Sequence, residues 1–169
     1  ITLWGTKENL DEWIARSFAR SSEGNSSIDL AVTERWRVEA LRPRLDAEVT
    51  EETIPLEAGL TETIAPNKGC YPGQEVIERT LSIGSPARRL VKLEGEGTPP
   101  APGESLRAAS PDTGEAGPEI GKVTTTLGLT PERFIALGII RKSHAKEGTP
   151  LRTASGQACV IRGVSPFSA

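Results

Sequence analysis

Apolar residues recur at helical spacing from the start of the chain. Leu10, Trp13, Ile14 and Phe18 fall on one face of residues 7–20, with Thr6 placed as an N-cap and Glu8, Asp11 and Glu12 in the first turns. This predicts an amphipathic helix, followed by a polar surface loop over residues 21–27. A second helix is predicted from Asp29, a possible N-cap, to Leu41. It carries Leu30, Val32, Trp36, Ala40 and Leu41 on a loosely periodic face and is stopped by Pro43. Residues 44–53 contain Asp46, Glu48, Glu51 and Glu52 and read as a solvated acidic loop. The run Ile54 to Leu60 then returns the chain towards the core, and Gln74 to Arg79 opens another helix with Glu75 in its first turn.

After Arg79 the period shortens. Six β-rich runs, residues 89–94, 104–108, 119–126, 134–141, 149–153 and 157–162, alternate with Gly/Pro-rich clusters, and residues 95–103 and 110–118 read as long loops. Strands without intervening helices predict a small antiparallel β-barrel. The expected class is α+β, with a boundary near Gly84-Ser85-Pro86 dividing residues 1–84 from 85–169.

Composition narrows the function classes. A formal charge of −3 and few aromatic residues beyond the first half give no basic, ring-bearing surface, so direct nucleic-acid binding is not expected. No apolar run approaches the roughly 20 residues of a membrane span. Two cysteines, Cys70 and Cys159, and one histidine, His144, cannot assemble a zinc or cluster site of ordinary ligand spacing, so no metal site is expected. They also exclude a disulfide-rich scaffold and predict a reducing compartment. The opening Ile1-Thr2-Leu3-Trp4 reads as the interior of a longer protein.

The chemistry concentrates in Lys68-Gly69-Cys70-Tyr71-Pro72-Gly73-Gln74-Glu75. Gly69, Pro72 and Gly73 mark a tight turn, which places Cys70 just ahead of helical N–H groups and beside Lys68, an environment that favours thiolate over thiol. A functional thiol and an inert, buried small hydrophobe both stand as readings of Cys70. Cys159, within a predicted strand, reads as structural, and His144 as a surface residue. Arg37 and Glu39 are two apart on a helix and do not share a face, so one can turn inward. An inward arginine suits a ligand carboxylate, because its planar fork matches that group. No Ser/His/Asp set and no phosphate-binding glycine loop is present.

The eight-residue stretch closely resembles the signature K-G-C-(aromatic)-x-G-Q-E of the YgfZ family of folate-binding proteins, relatives of the glycine-cleavage T-protein, an aminomethyltransferase. Arg37-Val38-Glu39-Ala40 with Pro43 is similar to the family's R-I-E-x-G-x-P, and Ile54 to Leu60 to its T-P-x-E-A-G-L. Gly121 to Thr124 and Ala136 to Arg141 look like its barrel strands, so the resemblance runs from about residue 29 to 164. Leu41 departs from the pattern, standing where the family has glycine, and so does Pro66-Asn67 in place of an aromatic and a polar residue.

The resemblance implies a partial aminomethyltransferase-like folate-binding domain over 1–84, from the C-terminal portion of such a protein, and a C-terminal β-barrel over 85–169. It implies tetrahydrofolate as cofactor and iron–sulfur client or assembly proteins as partners, including enzymes that modify tRNA. The location implied is cytoplasmic, or mitochondrial in a eukaryote. Cys70 carries over as the functional thiol and Arg37 as a partner for the folate or substrate carboxylate, while Lys68, Tyr71, Gln74 and Glu75 carry over as members of the signature. The role implied is an accessory one. A folate-dependent one-carbon transferase is the alternative, and a folded portion that binds no ligand is a third reading.

Overall fold

The computed structural model describes residues 29–65, 68–110 and 114–167, together with Thr6 and Glu8. The helix expected over residues 7–20 and the loop over 21–27 lie outside the described residues, apart from Glu8, which is helical. Two compact units are present, Ile1–Thr33 and Glu34–Ala169.

Helix α1 spans Leu30–Glu39. Asp29 caps it, its Oδ1 accepting the Ala31 N–H at 3.0 Å. The helix ends before Pro43 acts. Leu41 adopts φ 53°, the Arg42 N–H donates to the Arg37 carbonyl at 2.9 Å, and the Leu41 N–H donates to the Val38 carbonyl at 3.1 Å. This is a Schellman ending whose left-handed position, usually glycine, is filled here by leucine. Leu41 sits there because its side chain packs against an apolar cluster built on Val38, Leu90, Ile135, Leu137 and Ile139.

Helix α2 spans Gln74–Ile83 and is bracketed by Gly73 and Gly84, both at φ 84°. Left-handed backbone at both ends is inexpensive only for glycine.

Six strands close into a barrel in the order β1-β4-β3-β2-β5-β6. They are β1 Arg88–Glu96, β2 Ser105–Ala109, β3 Ala116–Thr130, β4 Arg133–Arg141, β5 Pro150–Thr153 and β6 Ala158–Val164. Every pairing is antiparallel. All six predicted strands are present, but β3 starts at Ala116, inside the stretch expected to be loop. Glu119, Gly121 and Lys122 pair with β2, and Gly121 to Thr130 pair with β4, so partners on both sides extend it in each direction.

The two faces of β4 explain its unbroken apolar run. Phe134, Ala136 and Ile140 join Val91, Leu93, Leu106 and Ile161 in one cluster, whereas Ile135, Leu137 and Ile139 join Val38 of α1 in another. A strand buried on both faces loses the alternation of a half-exposed one. The β3–β4 contact is close at Gly121, where a Cβ would lie 2.1 Å from the Ile139 carbonyl oxygen.

Candidate functional site

The end of α1 delivers Arg37 into a dense polar cluster. Its Nε donates to Glu34 Oε2 at 3.0 Å, its Nη1 to the Arg42 carbonyl at 2.8 Å and to Glu48 Oε2 at 3.0 Å, and its Nη2 to Thr125 Oγ1 at 3.0 Å. Nη2 also lies 3.0 Å from Glu34 Oε2. Four hydrogen bonds, shared among Nε, Nη1 and Nη2, therefore tie the guanidinium to protein acceptors. Glu48 is fully buried; its Oε2 also accepts the Arg44 N–H at 2.9 Å, and its Oε1 accepts the hydroxyls of Thr124 and Thr125 at 2.7 and 2.6 Å. The expectation of a solvated loop over 44–53 fails at this residue. A buried carboxylate is tolerable only when its lone pairs are filled, and here four donors fill them.

Arg37 and Glu39 diverge as their spacing required. Glu39 points outward and pairs with Arg35 at 2.8 Å. Glu34 has its pKa lowered, first by the hydrogen bond from Arg37 and further by the positive charges of Arg37 and Arg44, against an opposing effect of burial. The cluster fastens the end of α1 to the 44–49 loop and to β3. As placed, all three guanidinium nitrogens of Arg37 donate within the protein.

The Ile54–Leu60 stretch makes a second buried anchor. Leu56, Glu57 and Ala58 are buried, and Glu57 takes a two-pronged contact from Arg88, Nε to Oε1 at 3.0 Å and Nη2 to Oε2 at 2.9 Å. The Leu90 N–H donates to the Glu57 carbonyl at 2.9 Å, tying the stretch to β1. Gly59, at φ 79°, lies against Ser165, whose Cβ would be 2.7 Å from an added methyl. Only glycine meets both conditions.

The Lys68–Glu75 turn is open by contrast. Cys70 is exposed and free, and the Lys68 Nζ sits 4.4 Å from the centre of the Tyr71 ring, a cation–π contact. Gly73 precedes α2 without a side-chain cap, so Gln74 and Glu75 begin the helix with its leading N–H groups uncapped by a side chain. Glu75 occupies the first turn, as expected. No described hydrogen bond or ion pair joins Arg37 to residues 68–75.

Cys159 is the opposite kind of thiol. It is buried, its Sγ lies 3.8 Å from the Leu151 carbonyl, and its pKa is pushed up to about 12 by burial and by the nearby Glu104 carboxylate. That fits the structural role expected of it. The ring of half-buried His144 has one described hydrogen bond, at 3.0 Å between Nδ1 and the Ser143 hydroxyl. Among the described residues, no group of three His, Cys, Asp or Glu side chains could hold a metal ion, and no helix is long and apolar enough to cross a membrane.

The buried carboxylates Glu48 and Glu57 were missed by sequence reasoning. Glu57 had a signal, since it stands between the buried apolar residues Leu56 and Ala58. Glu48 had none, because its partners Thr124 and Thr125 are 76 and 77 residues away.

Comparison with known proteins places this geometry. The chain is 34% identical over 139 residues to the aminomethyltransferase of Rippkaea orientalis, covering 80% of this chain and 36% of that protein. It is 30% identical over 133 residues to the tRNA-modifying protein YgfZ of Cronobacter sakazakii, covering 77% and 39%. It is 30% identical over 115 residues to the mitochondrial iron–sulfur cluster assembly factor IBA57 of Mus musculus, covering 67% and 30%. The chain belongs to the YgfZ/IBA57-type, aminomethyltransferase-like family.

It spans about a third of the length of these relatives. The crystal structure of the glycine cleavage system aminomethyltransferase T from Bartonella henselae shares the fold, with a TM-score of 0.68 and 24% identity over 92% of this chain and 43% of that one. No protein-family model matches the sequence.

Proposed function

We propose that this chain is part of a tetrahydrofolate-binding accessory protein of iron–sulfur cluster assembly or repair, serving iron–sulfur enzymes that include tRNA-modifying ones. The observation that carries the reading is the free, exposed Cys70 just before the Pro72–Gly73 turn that leads into α2, in a chain whose relatives include an iron–sulfur cluster assembly factor and a tRNA-modifying protein. An exposed thiol is placed for reaction or transient ligation in a way that a buried one is not. Iron–sulfur client or assembly proteins are the proposed partners, and a cytoplasmic or mitochondrial site of action is proposed with them, the second supported by the mitochondrial relative. The proposed division is a folate-domain portion over residues 1–84 and the barrel over 85–169, with Gly84 closing α2 just before β1.

The marked residues fit reduced folate unevenly. Arg37 fits poorly as its carboxylate partner, because each of its guanidinium nitrogens already donates within the protein. Lys68 and Tyr71 fit better, as a surface cation and a half-buried ring beside it; Gln74 and Glu75 offer polar groups at the adjoining helix start. Bound folate would supply a one-carbon carrier.

A folate-dependent aminomethyl transferase is the second reading, favoured by the 34% identity to an aminomethyltransferase. Calorimetric titration with tetrahydrofolate under anaerobic conditions, on this chain and on any longer gene product carrying it, tests the cofactor. Saturable binding supports both folate readings, and no binding by either protein removes them. Cys70→Ser separates the two: the accessory reading expects impaired iron–sulfur enzyme maturation in cells with the fold intact, whereas unaffected maturation favours the transferase.

A further inference from the structure

A groove of about 860 Å³ runs along α2, between it and the adjoining ends of β1 and β4. Val76, Thr80 and Ile83 line it from the helix at i, i+4 and i+7, the spacing of a single face. Val76 is 49% exposed and Ile83 70% exposed, whereas Ile77 is the buried residue of the same helix. The helix therefore turns one apolar residue into the core and leaves a second apolar stripe facing open space. Large exposed apolar side chains gathered along one groove, rather than scattered singly, mark an interaction surface.

The groove's charge is one-sided. Arg79, Arg88, Arg141 and Lys142 line it, and no Asp or Glu does, in a chain whose net charge is −3. Arg88 is answered by Glu57, and Lys142 donates to Ser85. The side chains of Arg79 and Arg141 have no hydrogen bond or ion pair among the described residues. Arg141 also stands directly opposite Arg88 in the β1–β4 register. Like charges directly opposite across an antiparallel pair are destabilising, and no described ion pair is made by the Arg141 side chain.

We infer that this groove docks an acidic amphipathic segment of a partner protein. Its apolar residues, spaced to match one helical face, would lie on Val76 and Ile83, and its carboxylates would meet Arg79 and Arg141. The charge complementarity selects the partner's chemistry, and the two independently placed features, an apolar floor and an acid-free cationic rim, are those of helix-in-groove recognition. The inference deepens the partner element of the proposed function but does not depend on folate binding. Loss of folate binding and loss of docking are therefore separate results.

The test is selection from a random 16-residue peptide library displayed on phage, against the chain and against an Ile83→Asn/Arg141→Glu variant. Both replaced side chains are exposed, so circular dichroism should report an unchanged fold. The expected result is enrichment of peptides with apolar residues at i, i+3 or i+4 and i+7 flanked by Asp or Glu. A synthetic copy should bind saturably, weaken at least tenfold on the double variant, and weaken with added salt. No enrichment, enrichment of basic or neutral peptides, or equal binding to the variant would overturn the inference. So would concentration-dependent dimerisation abolished by Ile83→Asn alone, which would assign the groove to a second copy of the chain.

Discussion

Arg37 and Cys70 belong to motifs that look equally functional on paper, yet the structure treats them in opposite ways. Arg37 is enclosed by Glu34, Glu48, Thr125 and the Arg42 carbonyl, with each guanidinium nitrogen donating to one of them. Cys70 is exposed, just before the Pro72–Gly73 turn into a helix that lacks a side-chain cap. The first region holds secondary-structure elements together; the second offers chemistry to solvent. A motif match identifies the positions that matter in a family, and the surroundings of each position decide whether it matters for stability or for reaction.

The sharpest way to break this contrast is at Glu48. Glu48→Ala strips Arg37 of a buried counter-charge and leaves two threonine hydroxyls without their acceptor, so it should cost about 3–5 kcal/mol, read as a lowered urea midpoint. A loss under 1 kcal/mol would mean that the cluster is not the anchor described here. Glu57→Ala should cost less, about 2 kcal/mol, because its partner Arg88 is 44% exposed in its side chain and regains water.

Acid probes the same cluster without mutation. Glu34 has a folded-state pKa below its ordinary 4.5, so its contribution is complete above that value and is lost as pH falls through the depressed folded pKa. Thermal melts should show stability dropping as pH decreases below about 4.5, and Glu34→Gln should flatten that part of the profile. An unchanged acid limb in Glu34→Gln would detach Glu34 from the network.

Leu41→Gly removes left-handed strain worth roughly 1–2 kcal/mol and also removes a half-buried side chain worth a similar amount. Chemical denaturation should give a net change within about 1 kcal/mol, and a much larger loss would show that packing against the Val38 cluster dominates. Cys70 should be the least consequential for stability, with Cys70→Ser within about 0.5 kcal/mol of the parent. Iodoacetamide should label Cys70 in the native protein and reach Cys159 only on unfolding, as mass spectrometry of the labelled chain would reveal.

Much of the fold was legible because local pattern and tertiary burial agree. Short β-rich runs between Gly/Pro clusters mark all six barrel strands, and the glycines around residues 73 and 84 mark both ends of α2. The misjudged features depend on distant partners. β3 lengthens at its start because β2 continues to pair with it through Ala116. Residues 44–53 look solvated because acids usually are, and nothing local reveals that Glu48 turns towards β3.

The sequence by itself determined the α+β order, the barrel, the cap at Asp29 and the position of Cys70 on a turn before a helix. These follow from spacing, cap chemistry and glycine content within a few residues. Only the tertiary structure decided that Arg37 spends its donors on Glu48 and Thr125, that Glu57 is buried against Arg88, and that α2 carries an open apolar stripe beside unpaired arginines. Each of these depends on which remote segment arrives at the same point in space. Burial and charge pairing are properties of that arrival, and no window of neighbouring residues contains them.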